Sequence, residues 1–114
     1  MEMKDYIEQN YYLCHMNLVD SNIEVISDLC KRHKVRKLFA FGSVLTKKFK
    51  KTSDVDLVVD FQEVDLYDYA DNYFDFKDSL ERLFKREVDL LEDKAIKNPY
   101  LRQSIDSSKQ LIYG

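Results

Sequence analysis

Apolar and polar positions along the chain change period several times, and each change marks an element. Ile23, Ile26 and Cys30 recur at spacings of three and four, which gives one apolar face and predicts a helix to about His33. Ser21-Asn22-Ile23-Glu24 at its start matches the capping box, in which serine and glutamate side chains each satisfy an orphaned backbone N–H. Lys31, Arg32 and Lys34 suit the negative pole at its other end. Val35 to Phe41 (VRKLFAF) is short, β-branched and aromatic and stops at Gly42, which predicts a strand ending where the backbone turns or approaches something closely. Asp54 to Phe61 (DVDLVVDF) predicts a second strand, with Val55, Leu57 and Val59 on one face and Asp54, Asp56 and Val58 on the other. Between them, Lys47, Lys48, Lys50 and Lys51 surround Phe49 in a loop or short helical turn.

The stretch from about Asp65 to Phe84 carries Leu66, Tyr69, Tyr73, Phe76, Leu80 and Phe84 as a sustained helical stripe. Asp68, Asp71, Asp75 and Asp78 form an acidic stripe opposite it, which faces water or a basic partner. Glu87 to Leu91 (EVDLL) predicts a third strand. Asn98-Pro99 supplies a cap with proline at the first helical position, for a last helix to about Ser108. Leu111, Ile112 and Tyr113 follow as an apolar tail that packs or adds an edge strand. Residues 1–19 mix tyrosines and apolar residues with polar ones and read as an arm or a helix, leaving residues 20–114 as the domain.

Composition narrows the function classes. With 114 residues, 45% hydrophobic, the chain holds a single cored domain. Its net charge of −3 excludes a duplex-DNA binder that works by whole-surface positive charge. Gly42 and Gly114 are the only glycines, so neither a dinucleotide-binding glycine loop nor a P-loop can be written in this sequence. Cys14 and Cys30, with no secretory leader pattern and no apolar run of about 18 residues, point to a cytoplasmic protein that does not enter a membrane. Cys30 and His33, even joined by Cys14 and His15, make a poor zinc set, because the latter two sit in an undefined arm.

The chemistry concentrates in the acids. Two carboxylates two residues apart on one strand leave the same face about 6.5 Å apart. At an effective dielectric near 20 they repel by about 3 kcal/mol unless a cation or a proton intervenes. Asp54 and Asp56 stand in that relation, and an oxygen-only donor set favours Mg²⁺ or Mn²⁺ over zinc. Asp89, between Val88 and Leu90 in the third strand, would complete a three-acid site if it lies beside the Asp54/Asp56 strand on the same face. Such a set organises two-metal phosphoryl transfer, with one acid orienting or deprotonating an attacking hydroxyl. Gly42-Ser43 ends the first strand in an arrangement suited to cradle phosphate oxygens, and Lys47 and its neighbours add counter-charge or are a solvated loop.

Gly42-Ser43, a spacer, then Ser53-Asp54-Val55-Asp56-Leu57 resembles the GS…[ST]DxD signature of the DNA polymerase beta-like nucleotidyltransferase superfamily. It is similar in particular to the minimal nucleotidyltransferases (MNT), whose single small domain matches nearly all of residues 20–114. The resemblance implies an α/β (α+β) fold, a small mixed sheet with flanking helices. It implies transfer of a nucleoside monophosphate, usually AMP from ATP, onto a hydroxyl. Asp54, Asp56 and Asp89 would hold two Mg²⁺ ions as catalytic triad, and Gly42, Ser43, Ser53 and Lys47 would bind the nucleotide. Members of this group commonly pair with a helical HEPN protein as antitoxins, some by adenylylating a tyrosine of that partner. Thr46 stands where many relatives carry an arginine, and Phe84-Lys85-Arg86 where relatives often carry a glycine. Two functions follow: a metal-dependent nucleotidyltransferase, or a catalytically weak binding module that silences a HEPN partner by complex formation.

Overall fold

The computed structural model describes residues 18–42 and 54–114. In chain order they form helix α1 (Ile23–Arg32), strands β1 (Val35–Phe41) and β2 (Val55–Phe61), helix α2 (Leu66–Phe84) and strand β3 (Val88–Glu92). A short 3-10 turn (Asp93–Ala95), helix α3 (Pro99–Ser108) and strand β4 (Gln110–Tyr113) complete them. The strands lie in the order β3-β2-β1-β4. β2 is antiparallel to β1 and parallel to β3, and β4 adds antiparallel to β1, so the sheet is mixed as expected.

β2 is central, and its composition follows from that place. Val55, Leu57, Val58 and Val59 are all fully buried, as a strand covered on both faces requires. Val55, Leu57, Val59 and Phe61 join one apolar cluster with Ile26 and Cys30 of α1 and Phe76, Leu80 and Phe84 of α2. Val58 and Ile105 of α3 are buried outside that cluster. α1 and α2 thus cover the face of the sheet that carries the larger core. In β1 the alternation lapses at Arg36 and Lys37, both exposed, because a bulge shifts the register there.

The ends of the elements carry their own explanations. Asp65 caps α2 by accepting the Tyr67 N–H, and Asn98 accepts the N–H groups of Tyr100 and Leu101 ahead of Pro99. Lys85 takes the left-handed conformation (φ 57°) just past α2, the role that a glycine usually plays. The capping box expected at Ser21 is one residue out: the N-cap is Asn22, with no side-chain cap bond. A helical turn at residues 18–20 arrives directly before it, and the Asn22 side chain donates to the Leu18 carbonyl. The Asn22 backbone N–H also donates into that turn, to the Val19 carbonyl. Leu66, expected in the apolar stripe, is 88% exposed, and the fully buried residues of α2 begin only at Phe76. The acidic stripe of Asp68, Asp71, Asp75 and Asp78 faces solvent. The readings made on residues 1–17 lie outside the described residues, and no helix among those described is long and apolar enough to cross a membrane.

Candidate active site

The parallel pairing of β2 and β3 sets Asp56 directly opposite Asp89. Neighbouring strands run about 4.8 Å apart and paired residues share a face, so the two carboxylates leave the sheet side by side. Asp54 is the residue before β2, not within it, and is exposed, whereas Asp56 is half-buried. Burial, then the negative charges of Asp89 and Asp54, raise the Asp56 carboxyl above the ordinary aspartate value. The other two predicted acids thus both bear on Asp56.

Gly42 completes this cluster from the other side. It follows β1, whose last residue Phe41 pairs with Asp56, and has φ +74°, a conformation glycine adopts without strain. A Cβ at this position would lie 2.6 Å from Asp56 Oδ2. The backbone bend can press against the carboxylate only because no side chain is there. Ser43, Thr46, Lys47 and Ser53, with the lysine run around Phe49, lie outside the described residues.

A cleft of about 310 Å³ opens beside the acids at the start of β3, lined by Asp54, Lys77, Glu81, Glu87, Val88 and Asp89. Its far wall is the flank of α2. Tyr73, Lys77 and Glu81 recur every fourth residue, one above another on the helix. Tyr73 donates its hydroxyl to the Leu90 carbonyl, and Glu81 accepts the Val88 N–H at 3.1 Å. β3 is an edge strand, and these two bonds satisfy outward-facing backbone groups that would otherwise invite another strand. Burial, then Asp89 and Glu92, raise the Tyr73 phenol above its ordinary value. The sequence pattern counted Tyr73 in the apolar stripe and passed over Lys77 and Glu81. Their spacing of four along the border of the Phe76/Leu80/Phe84 face was the available signal.

Among the described residues, no three His, Cys, Asp or Glu side chains are grouped tightly enough to hold a metal ion by themselves. Mg²⁺ does not require such a cage, because it keeps several waters and binds through one or two carboxylates plus substrate phosphates. An all-oxygen pair, Asp56 and Asp89, with the Gly42 bend packed closely against Asp56 Oδ2, fits that mode of binding. Cys30 is fully buried and burial pushes its thiol up to about 12, which removes it from metal or nucleophilic chemistry. His33 donates from Nδ1 to the Leu29 carbonyl and its ring lies tilted against Phe76, a packing role.

Comparison with known proteins agrees with this geometry. The family described as polymerase beta, nucleotidyltransferase, matches residues 24–114. The chain is 35% identical over 99 residues to the "Putative protein adenylyltransferase MJ0128" of Methanocaldococcus jannaschii, covering 80% of this chain and 96% of that one. It is similar to a solved structure described as a "putative minimal nucleotidyltransferase", with TM-score 0.67, 27% identity, and 80% and 89% of the two chains covered. It also shares its fold with a chain of the complex between the tri-AMPylated HEPN toxin of Shewanella oneidensis and MNT antitoxin. There the TM-score is 0.59, identity 19%, and coverage 84% and 72%.

Proposed function

Because this chain belongs to the polymerase beta nucleotidyltransferase family and is a nucleotidyltransferase, we propose that it transfers AMP from ATP to a tyrosine hydroxyl of a HEPN-domain partner. In doing so it acts as the antitoxin of the pair, in the cytoplasm. The observation that carries the reading is the in-register pair Asp56 and Asp89 with Gly42 backed against Asp56 Oδ2. Support for a protein acceptor comes from the adenylyltransferase name of the Methanocaldococcus relative and from the AMPylated toxin in the Shewanella complex.

In the reaction the acceptor oxygen bonds to the α-phosphorus, the bond from that phosphorus to the β-phosphate bridge breaks, and pyrophosphate leaves. Asp89, exposed and lining the cleft, would take the hydroxyl proton. Asp54, Asp56 and Asp89 would hold Mg²⁺, which when bound neutralises phosphate charge. Gly42, whose lack of a side chain lets the backbone lie against Asp56, would bring its bend to the phosphate oxygens. Ser43, Ser53 and Lys47 would hold the triphosphate beyond it. The free, buried Cys30 is in keeping with a reducing compartment.

A binding module with weak catalysis is the competing reading, favoured by the missing three-group cage among the described residues and by Thr46. One experiment separates the two. The chain, Mg²⁺, α-labelled ATP and the HEPN protein of its own genome are incubated together, and label on the HEPN protein is measured. Transfer is expected with the unaltered chain and none with Asp56→Asn, which should still co-purify with the partner. Neutralisation of the partner without any labelling by the unaltered chain would establish the binding module instead.

A further inference from the structure

We propose that Lys77 is a further catalytic residue, whose ammonium contacts the acceptor hydroxyl oxygen as it becomes anionic. This rests on the transferase reading above and deepens it. The sheet order sets Gly42 after β1, Asp56 on β2 and Asp89 on β3 in a row. α2 packs on the other face of the sheet, and its Tyr73/Lys77/Glu81 flank reaches the β3 edge, where Lys77 and Asp89 line one cleft. Attack at the α-phosphorus is in line, so the entering oxygen comes from the side opposite the departing pyrophosphate. With the triphosphate seated toward Gly42, the acceptor enters from the β3 side, through the cleft between β3 and α2.

That cleft is a hostile place for a developing anion. It is lined by four carboxylates, Asp54, Glu81, Glu87 and Asp89. Lys77 is the single cation lining it among the described residues. Glu81 is committed to the Val88 N–H, and no carboxylate of the cleft forms an ion pair with Lys77 among the described residues. Its neighbours on the same flank, Tyr73 and Glu81, are both spent on the backbone of β3. Lys77, a half-buried residue with three ammonium donors on a flexible stem, thus lines the same cleft as Asp89, where charge appears during the reaction. As the oxygen–phosphorus bond forms and the hydroxyl proton leaves for Asp89, the acceptor oxygen carries negative charge that Lys77 offsets.

The test compares unaltered chain, Lys77→Met and Lys77→Arg with Mg²⁺, labelled ATP and the HEPN partner, alongside calorimetric titration with ATP and thermal melting. Lys77→Met keeps the apolar stem, and its kcat should fall about a hundredfold, with ATP affinity and melting temperature unchanged. Lys77→Arg should recover part of the rate, because it restores the charge. Equal turnover in Lys77→Met would overturn the inference. So would a loss that arginine does not recover, or weakened ATP binding at unaltered kcat, which would move Lys77 to the nucleotide. If the unaltered chain transfers nothing, the transferase reading itself fails and takes this one with it; transfer by the unaltered chain with a normal Lys77→Met removes only this one.

Discussion

Strand β2 carries two aspartates, Asp56 and Asp60, four residues apart on one face and both half-buried. Their surroundings are opposite. Asp60 has a cation, with Arg36 of β1 3.8 Å away. Asp56 has Asp54 and Asp89 beside it and a glycine bend against its oxygen. A fold selected for stability alone would treat both ends of its central strand as it treats Asp60. The end that gathers like charges stores an unfavourable interaction that a bound cation and its phosphates would relieve.

The largest expected effect breaks this contrast at Asp56. Asp56→Asn should lower AMP transfer by roughly a thousandfold or more, measured as label incorporated per minute. The same variant should melt at a higher temperature than the unaltered chain when no metal or nucleotide is present. The sign follows from linkage: an acid whose folded pKa lies above its unfolded value holds its proton more tightly when folded. Its ionised form therefore opposes folding above the folded pKa, and the opposition fades as pH falls through that value. The gap in melting temperature should be widest near neutral pH and close toward pH about 4. A variant less stable than the parent at neutral pH would show that Asp56 is a structural acid like Asp60.

Gly42→Ala tests the same end from the β1 side. The new methyl meets Asp56 Oδ2 at 2.6 Å, and φ +74° disfavours any side chain. Stability should drop by about 1–2 kcal/mol, read by urea denaturation. Transfer should fall more than tenfold, because displacement of a reacting group by a fraction of an ångström costs rate steeply. Transfer at the parental rate would mean that the close approach of the Gly42 backbone to Asp56 is not needed for the reaction. Lys85→Gly lies far from this contrast and should be stabilising by about 1 kcal/mol, since it relieves a left-handed lysine at φ 57°.

What the chain's pattern revealed was local, and what it concealed was not. β1 was legible to the residue, because a β-branched and aromatic run ends at a glycine. α2 was legible because Phe76, Leu80 and Phe84 repeat every fourth residue on the buried face. Asn98-Pro99 was legible as a cap because the chemistry that starts a helix lies within three residues. The pairing of Asp56 with Asp89 was only a condition in the sequence, since 33 positions separate them and register is set by the whole sheet. The flank of α2 was hidden for a related reason: Tyr73 and Glu81 act on β3 backbone groups, whose free edge exists only once the strand order is known. At Ser21 the pattern was present but the helix begins one residue later, after a turn at residues 18–20 to which Asn22 bonds, a neighbouring element that the four-residue motif does not include.

The smallest effect sharpens the comparison from its other end. Asp60→Asn keeps the side-chain shape and removes the charge that faces Arg36, whose side chain is 53% exposed. An ion pair at 3.8 Å with one solvated partner contributes about 0.5 kcal/mol. The variant should therefore be less stable than the parent, by about 2–3 °C in melting temperature, and the loss should shrink in concentrated salt as the attraction is screened. AMP transfer should be unchanged, because Asp60 lies at the opposite end of β2 from the cleft. The two asparagine variants then move in opposite directions on both readouts: one more stable and inactive, the other less stable and active. If Asp60→Asn also lost transfer, charge anywhere on this face of β2 would matter, and the distinction between its two ends would no longer hold.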